Sequence, residues 1–513
     1  MPDRPAHVTP GPPGEDVAPI ATDGGTDSST GGSDDRTDDR GGIWATGPVW
    51  TASDKPLARY VARPVREFLA IESAGSILLL AATVVALLWV NLPIDGWASG
   101  YDHFWHTDIA LQIGDWRIEE TLQHWVNDGL MTIFFFVVGL EIKYELVHGD
   151  LRDPRTAALP IVAAVGGMAV PALLYLAIAG GPGTGDGWGI PMATDIAFAV
   201  GVVGVLGRRL PSSARLFLLT LAIVDDIGAI LVIAFFYTGD LSLDWLGAAL
   251  ALFVLMAVLR AVRVWAIPVY VVLGTLAWFA TLESGVHATL AGVALGLLTP
   301  ACALLHQDVA RSYAVEALRD NELDAEELHR LRFLQNESVP VVERLQTALH
   351  PLSAYVVLPV FALANAGVPL GGGVIGDALT SPVALGIGVG LVIGKPLGIV
   401  LACLIAVRFT GARLPQGVNW MQITGLGAVA GIGFTVSLFI AGLSFPGDEM
   451  LTDEAKVGIL FASVLAAVVG VVLLLASSRG EVDGDGSDDS DDGEGAGSSE
   501  TGSRPEETAS VGA

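Results

Sequence analysis

Runs of about twenty apolar residues recur along most of this chain, with the charged positions gathered into the short stretches between them. A helix rises 1.5 Å per residue, so a run of that length crosses a hydrocarbon layer about 30 Å thick. About twelve such spans fit, over residues 74–93, 125–146, 157–179, 189–207, 213–238, 244–262, 266–282, 285–301, 346–369, 383–407, 420–443 and 454–477. The pattern predicts an all-α polytopic membrane protein. Two connections are long enough to carry structure of their own. Residues 302–345 include Glu-Leu-Asp-Ala-Glu-Glu-Leu-His-Arg-Leu-Arg, which reads as a surface helix or a solvated linker. Between spans one and two, Ile109, Leu111 and Ile113, then Gly114-Asp115, then Trp116 and Ile118 alternate about a turn dipeptide. That is a β-hairpin signal, with an amphipathic loop as the other reading; the edge of an exposed hairpin can pair with a second copy.

Composition sharpens this picture. The 513 residues are 52% hydrophobic and 16% charged, with mean hydropathy +0.57, whereas a soluble domain carries about 25% charged residues. The net charge of -28 is odd for a membrane protein until its location is counted. Residues 1–58 and 478–513 together hold 21 acids against 6 bases, more than half of the excess. The chain therefore divides into an acidic extension, 1–65, expected to be disordered, a twelve-span domain, 66–477, and a second acidic tail, 478–513, expected to be disordered as well. Tails of this sign are not nucleic-acid binders. No short apolar segment follows a basic start, so no signal peptide is expected. Cys302 and Cys403 lie in or beside apolar segments and offer neither a disulfide framework nor a thiolate metal site. No nucleotide-binding loop, cofactor motif or enzyme motif is evident.

Lys and Arg placement sets orientation. With the N-terminus cytoplasmic, nineteen fall on the inner connections, and only Arg117 and Lys456 on the outer ones. Both termini are then cytoplasmic.

Ionisable groups inside a span are costly unless paired or facing water, so each is a functional candidate. Asp128, Glu145 and Glu283 lie near span ends, where interfacial solvation explains them. Glu141 reads either as lining a cytoplasmic funnel or as an interfacial partner of Lys143. Asp225 and Asp226, in Ala-Ile-Val-Asp-Asp-Ile-Gly-Ala-Ile, are more than two turns from either end of span five. Neighbouring residues on a helix point about 100° apart, so one carboxylate can face an aqueous cavity while the other meets a partner. Lys395, in Ile-Gly-Lys-Pro-Leu-Gly-Ile, is the only buried cation and the obvious partner. A purely structural pair would leave the second Asp unexplained.

Span four carries Gly189, Pro191, Thr194 and Asp195, and span eleven carries Gly431, Gly433, Thr435 and Ser437, so each is expected to break. Spans three to five and ten to twelve then read as inverted repeats with crossed discontinuous helices. In that arrangement Asp195 offsets exposed helix N-termini and Lys395 the C-termini; close helix packing is the plainer reading of the glycines. Hard oxygen ligands suit a small hard cation, and protons compete for the same carboxylates, so such a site can exchange Na⁺ for H⁺. His287, in Ser-Gly-Val-His-Ala-Thr-Leu-Ala-Gly, is a candidate pH sensor or a structural histidine.

These segments, with Val-Gly-Leu-Glu-Ile-Lys (138–143), Ala-Thr-Asp-Ile-Ala-Phe-Ala (193–199) and Phe-Ala-Leu-Ala-Asn-Ala-Gly-Val (361–368), occur in an order similar to that of the NhaA-type bacterial Na⁺/H⁺ antiporter family, and residues 66–476 resemble it throughout. The resemblance implies an inner-membrane, twelve-span protein, a homodimer through the 108–118 hairpin, and electrogenic export of Na⁺ or Li⁺ against entering H⁺, serving sodium and pH homeostasis. By position it implies Asp225 and Asp226 as ion ligands, with Asp226 the main ligand of the transported Na⁺ and Asp225 paired with Lys395. It likewise implies Thr194 and Asp195 as crossing residues. The chain departs from the family at Tyr144, in place of Arg, and at Gln346, in place of Glu before the His-Pro of span nine. Both positions belong to the cytoplasmic funnel linked to pH activation, which leaves Glu141 and His350, one turn beyond Gln346, as the titratable candidates there. The alternative function is a sodium-coupled symporter of a small organic anion on a similar broken-helix scaffold.

Overall fold

The computed structural model describes residues 73–484, apart from 114–115, 240, 263, 265–266, 304, 306–307, 309–310, 314, 316–323, 372–375 and 377–379. All described residues belong to one compact unit, Glu67–Ala513. Of the segments expected to be disordered, 1–65 and residues 485–513 of the tail 478–513 lie outside the described residues, whereas 478–484 are helical.

The helices follow the hydrophobic runs. In chain order they are α1 (Ala74–Asn91), α2 (Trp97–Trp105), α3 (Met131–Val147), α4 (Pro154–Ala179), α5 (Ile196–Leu206), α6 (Ser212–Phe236), α7 (Leu243–Ala261), α8 (Ile267–Glu283), α9 (Thr289–Leu298), α10 (Ala325–Glu337), α11 (Val341–Leu352), α12 (Leu358–Asn365), α13 (Pro382–Val389), α14 (Lys395–Thr410), α15 (Trp420–Ala430), α16 (Phe434–Ser444) and α17 (Glu449–Gly484). Among the described residues, eight helical segments are long and apolar enough to cross a membrane, and the bent pair α15/α16 makes a ninth. The other three of the twelve expected spans are also helical but shorter: α3 follows a separate π-helical turn at Trp125–Leu130, and α8 and α9 are short. A lipid-facing chain must satisfy its own backbone, which leaves helices as the economical solution for such segments.

The expected hairpin is present. β1 (Asp108–Ile113) and β2 (Trp116–Thr121) pair antiparallel, Ile109 opposite Glu120 and Leu111 opposite Ile118. The helix expected within 302–345 is α10, started by a reciprocal cap between Asp324 and Glu327. The last helix runs seven residues past the expected limit at Ser477.

Two triplets of spans are matched in form, each a long helix, a broken helix and a long helix: α4, the span ending in α5, and α6; then α13/α14, α15/α16, and α17. Their first members pack antiparallel. Gly166 lies on Gly398, Pro171 on Gly394 and Tyr175 on Gly386, so numbers rise along one helix as they fall along the other. At Gly166 and Gly398 the backbones touch: a β-carbon on either would run into the other's carbonyl oxygen. The antiparallel pairing is what inverted repeats require. A π-helical turn, Gly390–Gly394, interrupts span ten immediately before Lys395; such turns often mark functional positions.

Candidate functional site

Gly and Pro break span four into a 3₁₀ segment, Gly185–Met192, an extended stretch, and α5. Span eleven breaks between α15 and α16, which meet at 47°. The extended stretches touch, with Asp195 N–H donating to the Ile432 carbonyl at 2.7 Å. Each break exposes helix ends, whose unsatisfied N–H and C=O groups carry partial charge.

One carboxylate serves both N-termini. Asp195 Oδ1 accepts from Phe198 N–H at 3.0 Å at the start of α5. Its Oδ2 accepts from the backbone N–H of Thr435 at 2.9 Å and from Thr435 Oγ1 at 2.6 Å, at the start of α16. The C-terminal ends are met by other groups. Lys395 Nζ donates to the Met192 carbonyl at the end of the 3₁₀ segment. Thr194 Oγ1 lies 2.7 Å from Asp225 Oδ2 and 3.0 Å from the Ala430 carbonyl at the end of α15, so its single hydrogen bridges both or serves one. Ser437 Oγ adds a bond to the Ile190 carbonyl at 2.7 Å.

Lys395 Nζ also sits 2.9 Å from Asp225 Oδ2, both side chains fully buried. Thr194, Asp195, Asp225, Asp226 and Lys395 are all within 3% of complete burial. One oxygen of each central carboxylate, Asp225 Oδ1 and Asp226 Oδ1, is buried without a protein hydrogen-bond partner. Asp225 has a cation beside it. Asp226 has the charges of Asp225, Glu141 and Asp195 around it and Lys395 as the one cation.

The structure thus brings together Thr194, Asp195, Asp225, Asp226 and Lys395. It places the other candidates elsewhere. Glu141, on α3, is hydrogen-bonded to the Gln346 side chain on α11. His350 is exposed one turn further along α11. His287 lies between α8 and α9, its Nε2 2.6 Å from the Tyr237 carbonyl; the carbonyl can only accept, so Nε2 carries the proton. Asp128 pairs with His124 at 2.9 Å, Glu145 accepts from Asp150 N–H, and Glu283 is exposed.

Sequence reasoning named Thr435 only as part of a break, not as the partner of Asp195. It missed the Met192 and Ala430 carbonyls, and also Tyr175 and Tyr237. These two tyrosines pin the 3₁₀ segment: Tyr175 Oη donates to the Thr184 carbonyl at 2.7 Å, and Tyr237 Oη to the Asp186 carbonyl at 2.6 Å while accepting from Gly189 N–H at 3.2 Å. A hydroxyl beside a Gly-rich break was the available signal for Thr435; the tyrosines carried none.

Two crossed, broken helices with a buried carboxylate and lysine cluster at their junction define a secondary ion carrier, because discontinuous helices in a membrane bundle form ion sites from their own ends. Comparison with known proteins narrows the class. The family described as Na+/H+ antiporter 1 matches residues 66–474. The chain is 47% identical over 431 residues to the Na(+)/H(+) antiporter NhaA of Rhodopirellula baltica, covering 82% of this chain and 95% of that protein. It is 45% identical to the NhaA of Oleidesulfovibrio alaskensis, over 84% and 97% respectively. It is 47% identical to the protein named Na(+)/H(+) antiporter NhaA 3 of Frankia alni, over 81% and 89%. This chain belongs to the Na⁺/H⁺ antiporter family, and is a multi-pass membrane protein.

Proposed function

We propose that this chain exchanges cytoplasmic Na⁺, or Li⁺, for external H⁺ by alternating access, with Asp226 as the principal seat of the cargo. The observation that carries the reading is the asymmetry of the two adjacent acids. Asp225 is neutralised by Lys395 at 2.9 Å and bonded by Thr194 at 2.7 Å. Asp226 lies beside it, as deeply buried, with an unpartnered oxygen. A lone carboxylate in an apolar interior is prohibitively costly unless a cation accompanies it. Either Na⁺ or H⁺ meets that need, and each excludes the other, so the protein crosses between its two faces only when loaded. Exchange follows from that rule.

Helix ends contribute without titrating. Asp195 compensates two N-termini and Lys395 a C-terminal carbonyl, which keeps the broken segments together as the loaded site moves. Lys395 and Asp225 can carry protons beyond the one displaced from Asp226, which accounts for electrogenic exchange. Glu141 and Gln346, with His350 beyond, form the region where pH acts on the cytoplasmic side. The remaining assignments rest on the family and the arginine pattern: an inner membrane, cytoplasmic termini, sodium and pH homeostasis, and a homodimer through the 108–118 hairpin.

The test is the purified protein in acid-loaded vesicles without any organic solute. Added Na⁺ should dissipate the pH gradient, and the rate should depend on that gradient. If an organic anion were obligatory, the chain would be the symporter, a reading that neither the matching family nor the names of the relatives support.

A further inference from the structure

Five arginines, Arg208, Arg209, Arg215, Arg408 and Arg413, sit where spans four and five and spans ten and eleven are joined, and no Asp or Glu occurs in residues 196–224 or 396–447. The two connections touch. Ser213 Oγ donates to the Gln416 carbonyl at 2.6 Å, and Leu206, Leu210, Leu414 and Val418 pack in one apolar cluster with Leu474 and Leu475 of α17. Arg215 turns inward onto the Gly207 carbonyl, whereas Arg209, Arg408 and Arg413 are exposed. A face with three exposed arginines, on connections that contain no acid, therefore lies beside the last helix.

From Leu474, α17 continues ten residues to Gly484, about 15 Å at a helical rise. The next ten residues, 485–494, hold six acids and no base. Ten residues reach at most about 35 Å, more than twice the ~15 Å of helix back to Leu474, which packs in the cluster shared with both connections. We propose that the acidic segment 485–494 docks on the face formed by Arg209, Arg408 and Arg413 of the same chain. Tethering holds it there at an effective concentration in the millimolar range. Exposed ion pairs are individually weak and strongly screened, so docking is governed by ionic strength. The face ends α5 and leads into α15, the half-helices that cross at the ion site, so a bound segment ties both together and makes their movement salt-sensitive.

Limited trypsin digestion after Arg413 tests this, using the full chain, a chain ending at Gly484, and a full-length variant with the six acids of 485–494 changed to Asn or Gln, all in a neutral detergent. At low salt the full chain should be cut about tenfold more slowly than either variant, and the difference should vanish in about 0.5 M choline chloride, where the Debye length is ~4 Å. Equal cutting of all three at low salt would overturn the proposal. So would protection that arises only in phosphatidylglycerol vesicles and equally with or without the segment, since lipid headgroups would then occupy the face.

Discussion

Replacing Lys395 with alanine leaves Asp225 as a fully buried carboxylate with no countercharge. The side chain removed is itself 0% exposed, and its Nζ is 2.9 Å from Asp225. Breaking a buried pair from one side costs roughly 3–5 kcal/mol. Asp225→Asn alone strands Lys395 and should cost a similar amount, so independent effects would predict a loss of about 6–10 kcal/mol for the double variant. In the double variant no charge is stranded. What remains is the Met192 carbonyl without its donor, roughly 1–3 kcal/mol, plus the space left by the lysine stem. The double variant should therefore unfold at a higher temperature than Lys395→Ala alone, although below the parent. Thermal unfolding of the four proteins in one detergent reads this directly. If the double variant unfolds at the sum of the two single shifts, Lys395 and Asp225 are not the pair that holds this site.

Asp195→Asn keeps the shape but removes the charge facing the starts of α5 and α16, and leaves fewer acceptors for Phe198 and Thr435; a loss of about 1–3 kcal/mol is expected, and an unchanged unfolding midpoint would refute the double cap. Gln346→Glu places a second carboxyl against Glu141, so the pH at which exchange turns on should shift while the apparent Na⁺ affinity at the optimum changes little; a profile unmoved at several Na⁺ concentrations would mean that activation is only competition at Asp225 and Asp226. The hydrogen bond to Asp128 holds the His124 imidazolium above its ordinary range, on the turn outside span two. A raised histidine stabilises below its unfolded value and loses that contribution as pH rises through the folded one. Asp128→Asn should accordingly lower the unfolding midpoint near pH 5.5 and leave it unchanged near pH 9; equal effects at both would contradict the pairing.

The spans were legible because a bilayer demands a long apolar run, and the site because buried ions are rare enough to stand out. Asp225, Asp226 and Lys395 announce themselves in this way, and Gly189 with Pro191 and Gly431 with Gly433 announce the crossing. What stayed hidden are contacts to backbone: Met192 and Ala430 act through carbonyls that every residue possesses, and Thr435 meets Asp195 across 240 residues. The π-helical turns at Trp125–Leu130 and Gly390–Gly394 keep helical hydropathy and so leave no trace in its period. The end of α17 was placed too early because Arg479 and Glu481 read as tail, although charged residues continue a helix readily once it has left the membrane.

If Asp226 carries the exchanged cation, Na⁺-driven proton movement in acid-loaded vesicles should be lost on Asp226→Asn. An amide in place of a carboxylate that makes no ion pair, Lys395 being bonded to Asp225, should leave insertion and folding intact, verified by a monodisperse purified protein. Na⁺ should no longer dissipate the gradient in vesicles holding the folded variant, at any external pH. Exchange at near the parent rate would contradict that role for Asp226.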